Sequence, residues 1–167
     1  MRIGILSDTH DELERTRFAV ELLRTHRATA LIHCGDLKSP AIVKICAEIP
    51  LGFVLGNHDA DNVPYLKEAA GEVGAICLGW SGRVELAGKT IAVAHGHMTY
   101  DIRHVMNPRP HYLLTGHSHI ASDNYDGLVR RINPGALQEA DQFSVALLDL
   151  ESDELQFLEI PSLSGAA

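Results

Sequence analysis

The order of apolar and polar positions divides the chain into two parts of different character. Residues 3–7 form a short apolar run that ends in polar residues, which predicts a buried strand. Over 11–27, Leu13, Phe18, Ala19, Leu22 and Leu23 recur at helical spacing and predict an amphipathic helix. A second buried strand is expected at 29–33, closed by Gly35. Ser39-Pro40 opens a helix to about Glu48, with proline in its first turn. A third strand is expected over 52–55, closed by Gly56, and a third helix over 63–70. Strand, helix, strand, helix, strand in that order favours a parallel sheet with right-handed crossovers.

Beyond residue 75 the pattern changes. Strand-like runs fall at 75–78, 83–86, 90–94, 112–115, 120–123, 128–132, 143–150 and 154–160. Turn signals such as Ala87-Gly88-Lys89 and Asp126-Gly127 separate them. One short helix is expected over 101–106, before Asn107-Pro108. The tail, 162–167, is small and polar and is expected to fray. With no repeat, low-complexity stretch or linker, the 167 residues read as one domain, 1–167. An α/β first half and a β-rich second half suggest two sheets packed face to face, with helices on the outer faces.

Composition narrows the class without naming it. A hydrophobic fraction of 46 % and a charged fraction of 22 % are ordinary for a globular chain. The net charge of −8 and the lack of any Lys/Arg run argue against long nucleic acid as a partner; Arg130-Arg131 is too small a cluster to reverse that. No stretch approaches the roughly 18 apolar residues of a membrane span. The run 1–6 is too short for a signal peptide, so no membrane role is expected and the cytoplasm is the expected location. Cys34, Cys46 and Cys77 are odd in number, fit no zinc spacing and sit in apolar surroundings. They read as small core residues in a reducing compartment.

Histidine changes the picture. Of ten, six lie in four short clusters. Five motifs fall at the ends of predicted strands: Asp8-Thr9-His10, Gly35-Asp36, Gly56-Asn57-His58-Asp59, His95-Gly96-His97 and Gly116-His117-Ser118-His119. Taken singly, each has a bland reading. Asp-x-His is usually a surface loop or cap, Gly-Asp an ordinary turn, and Gly-Asn-His-Asp a run of turn-loving residues. Their conjunction is harder to dismiss, because ligands of open α/β sheets bind beyond the carboxyl ends of strands. Asp and Asn offer oxygen and neutral His offers nitrogen, with no cysteine among them. That donor set suits Mn, Fe, Ni, Co or Zn better than a thiolate zinc or iron–sulfur site. In an extended segment Asp8 and His10 would project to one side, as would His117 and His119. Each pair could then share one site or straddle two ions. His33, on an apolar strand, reads as a satisfied core histidine, and His26, His104 and His111 as helix-end or loop residues.

The five motifs, in this order and over nearly the whole chain, resemble the calcineurin-like metallophosphoesterases, in particular their small single-domain bacterial and archaeal phosphodiesterases. The resemblance implies a four-layer α/β/β/α sandwich of two mixed sheets flanked by helices. It implies two divalent metal ions, manganese foremost with Ni, Fe, Co or Zn as alternatives. Asp8, His10 and His119 would complete one site, Asn57, His95 and His117 the other, and Asp36 would bridge them. His58 matches the family's catalytic histidine. Asp59 is a candidate for orienting it, with a simple loop cap as the alternative; His97 could touch substrate, support a ligand or cap a loop. The function so implied is hydrolysis of small phosphodiesters by a two-metal mechanism with a metal-bound hydroxide as nucleophile. Two divalent ions against Asp8 and Asp36 leave the site positive by about two charges, so an acidic protein can still hold an anion there. Alternatives are a phosphomonoesterase or nucleotidase on the same scaffold, and a non-catalytic protein-binding scaffold of the retromer-subunit type. That subunit lacks the catalytic histidine, which is present here. Relatives are often dimers or tetramers, so a homo-oligomer is plausible. Leu37-Lys38-Ser39-Pro40 after Gly35-Asp36 departs from the protein-phosphatase branch. Ala136 stands after Asn133-Pro134-Gly135 where relatives often carry serine.

Overall fold

The computed structural model describes residues 1–162; apart from Ser162, the tail expected to fray lies outside the described residues. The elements run β1 (Arg2–Leu6), α1 (Leu13–Thr25), β2 (Ala30–His33), α2 (Pro40–Cys46), β3 (Leu51–Phe53), a 3-10 helix (Asn57–Asn62), α3 (Val63–Val73), β4 (Ile76–Cys77), β5 (Ser81–Leu86), β6 (Lys89–Ala94), α4 (Thr99–Val105), β7 (Tyr112–Leu114), β8 (Ser122–Asp126), β9 (Val129–Asn133), β10 (Phe143–Asp149) and β11 (Leu155–Ile160).

Two mixed sheets result. The first has the order β11-β10-β1-β2-β3-β4, the second β5-β6-β7-β9-β8. As the alternation of the first half predicts, β1, β2, β3 and β4 are parallel, and β10 and β11 extend that sheet antiparallel. In the second sheet β6, β7 and β9 are parallel, with antiparallel edges β5 and β8.

The period-2 pattern assigns each face. Ile3, Ile5, Ala30, Ile32, Ala146 and Leu148 of the first sheet meet Ile91, Val93, Tyr112, Leu114 and Ile132 of the second. The intervening residues Leu31, Phe53, Val145 and Leu147 turn outward, under Leu23 of α1, Ile42 of α2 and Leu66 of α3. On the other outer face Ala92, Ala94, Leu113 and Val129 pack against Val105 of α4. The four layers are therefore helices, sheet, sheet, helix, as expected for a sandwich of this kind.

Several boundaries differ from the sequence reading, each for a local reason. The first helix is shorter than 11–27 because Asp11 and Arg27 both hold a left-handed backbone, at φ 66° and 64°. The third helix runs past 70 and stops at Gly74, whose φ of 72° and N–H bonded to the Ala70 carbonyl form a left-handed cap. Strand β8 starts later than the expected 120–123. Its residues are almost all exposed, so no apolar run marks it, and pairing with β9 sets its position. The turn-forming residues after Gly56 close into a 3-10 helix, Asn57–Asn62.

Cys34 and Cys46 are fully buried, as expected, and Cys77 is half-buried. Burial pushes the thiols of Cys34 and Cys46 up, so both stay protonated and inert.

Candidate metal centre

The parallel strands β1, β2 and β3 deliver Asp8, Asp36 and Asn57 at their carboxyl ends, and β6 and β7 deliver His95 and His117 from the opposing sheet. The rims are tied together. The Asp8 N–H donates to the Gly35 carbonyl at 3.0 Å, and the Gly116 N–H to the His95 carbonyl at 3.0 Å. Across the sheets, His95 Nδ1–H donates to the Cys34 carbonyl at 2.8 Å, and the His117 N–H to Asp8 Oδ2 at 3.0 Å.

The segments are not extended. Asp8, His10, Asp36, His117 and His119 all have φ between 43° and 66°. Left-handed backbone costs an L-residue roughly 1–2 kcal/mol, and Asp and His are among the side chains that accept it most readily. The expected alternation of i and i+2 side chains is therefore corrected: tight left-handed turns, rather than strand pleat, aim these groups.

Asp8, His10, Asp36, His95 and His119 converge on a small polar space. Asp8 Oδ1 lies 3.0 Å from His119 Nε2, 3.7 Å from His10 Nε2 and 3.9 Å from His95 Nε2. Asp36 Oδ2 lies 3.4 Å from His10 Nε2 and 3.2 Å from His95 Nε2. The other oxygen of each carboxylate is occupied. Asp8 Oδ2 accepts from the Ser7 hydroxyl at 2.6 Å, and Asp36 Oδ1 from the His58 N–H at 2.9 Å. Asp8 Oδ1, His10 Nε2 and His95 Nε2 are buried without a hydrogen-bond partner. Such orphaned groups are costly, and a cation among them would satisfy all three.

The tautomers agree with that fit. His119 Nδ1–H donates to the Glu139 carbonyl at 3.0 Å, as His95 does to Cys34. In its neutral form each ring therefore presents a bare Nε2 to the carboxylates, which is how metal-binding imidazoles are commonly held. Ser7, the Cys34 carbonyl and the Glu139 carbonyl thus position the centre; only tertiary contacts identify them, since nothing in their sequence context does.

The electrostatics keep both carboxylates ionised. Burial pushes Asp8 up, but His10, His95, Ser7 and His119 outweigh it and hold its carboxyl below the usual range. Burial also opposes ionisation of Asp36, yet His95 and the His58 N–H bring it down to about 2. Burial favours neutral His95, but Asp36 and Asp8 raise it above the ordinary histidine value. Burial, with His95 beside it, lowers His97.

The remaining candidates fall as follows. His58 is exposed at the start of the 3-10 helix, its ring 5.0 Å from that of His10. Asn57 is exposed beside it, at the first residue of that helix. The His117 ring stands 5.1 Å from His95 and 6.1 Å from His97. Asp59 holds loops rather than the His58 ring. Its buried carboxylate accepts from the N–H groups of Asp36 at 2.9 Å, Gly56 at 2.8 Å and Lys38 at 2.7 Å. Burial pushes its carboxyl up against the pull of those donors. A cavity of about 560 Å³ opens beside His117, lined by Ile102 of α4 and by Asn124, Arg131 and Asn133 of β8 and β9.

Two glycines make room for the carboxylates. A Cβ at Gly56 would lie 2.1 Å from Asp36 Oδ1, and one at Gly116 would lie 1.9 Å from Ser7 Oγ and 2.6 Å from Asp8 Oδ2. Gly116→Ala should displace Asp8, lower stability by about 1–3 kcal/mol and reduce metal uptake; thermal melts and elemental analysis of the purified variant check both.

His33 is the satisfied core histidine that its strand suggested. Its Nδ1 accepts from the Gly35 N–H at 3.1 Å, so Nε2 carries the proton and donates to the Thr9 hydroxyl at 3.1 Å. Burial lowers its pKa to about 3. Between about pH 6.5 and 3 the unfolded chain therefore binds the extra proton, and stability falls as pH falls. One proton of difference between the two states sets the slope of this limb. In metal-free protein, His33→Gln should flatten this acid limb by about one proton, measured as unfolding free energy against pH; an unchanged slope would assign the limb to other groups.

Residues 1–153 match the calcineurin-like phosphoesterase superfamily domain, and the chain belongs to that family. Over 63 residues it is 36 % identical to a phosphodiesterase of Methanocaldococcus jannaschii, a match covering 36 % of this chain and 38 % of that relative. Among solved structures, an archaeal phosphodiesterase superposes with a TM-score of 0.86 at 26 % identity, covering 96 % of this chain and 100 % of that one. A phosphoesterase from E. coli shares the fold at a TM-score of 0.69 and 18 % identity, over 96 % and 100 % of the two chains. Vacuolar protein sorting 29 of Cryptosporidium parvum does so at 0.60 and 15 %, over 95 % of each.

Proposed function

We propose that this chain is a metal-dependent phosphodiesterase that hydrolyses small phosphodiesters. The observation that carries the reading is the place of Asp36. One of its oxygens lies 3.4 Å from the His10 Nε2 and 3.2 Å from the His95 Nε2, rings that this reading assigns to different ions. Asp8, His10, Asp36 and His119 would hold one divalent cation, and Asp36, Asn57, His95 and His117 a second. When bound, such a pair would clamp phosphate oxygens and bring the pKa of a water down from near 15.7 to about 7. Manganese is the expected metal, and Ni, Fe, Co and Zn suit the same donors.

The chain's own residues supply the rest. Asp8 and Asp36 keep their charge at neutral pH, and His95 and His119 aim fixed lone pairs inward. His58, exposed beside His10, is placed to give a proton to the departing ester oxygen. Asp59 holds the loops that carry Asp36 and His58.

The cytoplasm is the proposed place of action; among the described residues no helix is long and apolar enough to cross a membrane. A dimer or tetramer is the expected assembly, to be checked by light scattering. The similarity to the vacuolar sorting protein shows the fold alone, and the retained His58 supports the enzyme over a scaffold. The test is chelation followed by re-addition of Mn, Ni, Co, Zn or Mg against a panel of esters. Chelation should abolish hydrolysis, manganese should restore it, and diesters should outrun monoesters. Faster monoester turnover would make the protein a phosphomonoesterase. Absence of turnover on every ester and metal would leave the scaffold.

A further inference from the structure

The chain has a single tryptophan, and it stands at the rim of the metal centre with much of its ring exposed. Trp80 lies between β4 and β5, 40 % exposed. The loop that carries it is fastened to the site: the Leu55 N–H, two residues before Asn57, donates to the Gly79 carbonyl at 2.8 Å. The Trp80 ring is 6.2 Å from that of His97 at an interplanar angle of 59°. His97 in turn is 5.4 Å from His95 and 6.1 Å from His117. An unbroken series of ring contacts thus leads from the second half of the centre to an open indole.

The His58 ring stands against that of His10, 5.0 Å away. A diester whose oxygen departs at His58 must carry its other ester group on a different side of phosphorus. The contacts leave Trp80 and His97 on the His95–His117 side, where that retained group would lie. Resting on the phosphodiesterase reading above, we propose that Trp80, backed by His97, is a specificity-determining shelf for a planar aromatic or nucleobase group on the ester that stays with phosphorus. An exposed indole offers a flat apolar face and tolerates any ring with a π-surface. Burying it against such a ring removes apolar area from water.

Two substrates with one leaving group test the shelf: p-nitrophenyl phenyl phosphate and p-nitrophenyl methyl phosphate. Trp80→Ala should lower the phenyl-to-methyl ratio of kcat/KM about tenfold, within the range of a lost ring-stacking contact, and Trp80→Phe should keep most of it. The lone tryptophan also reports binding directly. In zinc-loaded protein, phenyl phosphate should quench its fluorescence at lower concentration than methyl phosphate, and His58→Ala should leave that quenching in place. Quenching without turnover of either ester would sink the phosphodiesterase reading and uphold the shelf. Turnover with an unchanged ratio in Trp80→Ala and no selective quenching would overturn the shelf. So would a ratio that responds to Arg131→Ala instead, which would put the retained group in the cavity beside His117. A change of oligomeric state in Trp80→Ala with the ratio intact would overturn it as well, by making this rim a contact between copies.

Discussion

Replacing His58 by alanine should slow hydrolysis of alkyl phosphodiesters about 10²- to 10⁴-fold and leave metal content nearly intact. That loss corresponds to about 3–5.5 kcal/mol of barrier. The separation of the two effects follows from how His58 touches the centre. Its hydrogen bond to Asp36 runs from the backbone N–H to Oδ1, at 2.9 Å, and alanine keeps that group. The ring itself is exposed at the edge of the centre, a nitrogen of it within 4.8 Å of donor atoms of His10 and Asp36, close enough to reach an ester oxygen held there. A nitrophenolate departs with little need of a proton, so the defect should shrink for nitrophenyl esters. Side-by-side kinetics on alkyl and nitrophenyl diesters, with metal measured on the same samples, check both parts. Parallel loss of metal and activity would make the imidazole a ligand or a structural group and end its casting as an acid.

Asp36→Asn should do more: hydrolysis should fall to the uncatalysed background, and both metals should be lost together. The asparagine keeps the shape and can still accept from the His58 N–H, but it withdraws the negative charge that faces His10 and His95. Burial opposes that charge and the neighbouring histidines sustain it, so its pKa sits at about 2 and it is present throughout the useful pH range. If one carboxylate serves two cations, neutralising it weakens both sites, whereas His119→Ala touches only the half built on Asp8 and His10. Titrating zinc into the two variants distinguishes these cases. Asp36→Asn should show neither site at concentrations that fill the wild type, and His119→Ala should retain about one ion. Loss of a single ion in Asp36→Asn would refute the shared role.

How much of this was legible in the sequence depends on range. The buried strands β1, β2 and β3 and the helices between them announce themselves by apolar runs, helical spacing, Pro40 and Gly74, all of which act within a few residues. The parallel first sheet follows from that alternation. Strand β8 is nearly invisible because an edge strand facing solvent needs no apolar run, and its hairpin with β9 alone defines it. Asp59 shows the same limit. Its sequence neighbours suggested either a partner for the His58 ring or a loop cap. Three backbone N–H groups, two of them more than twenty positions away, commit it to the loops.

The sequence by itself determined which donors are available, that they fall at strand ends, and which family they resemble, because residue type and local spacing carry that chemistry. Only the tertiary structure decided where the donors point. Left-handed turns at Asp8, His10, Asp36, His117 and His119 replace the alternation of a strand, and carbonyls of Cys34 and Glu139 choose the faces of His95 and His119. The reason is physical: a side chain's aim depends on backbone torsions and on hydrogen bonds closed between distant positions, 61 apart for His95 and Cys34 and 109 apart for His117 and Asp8, and no local pattern encodes those.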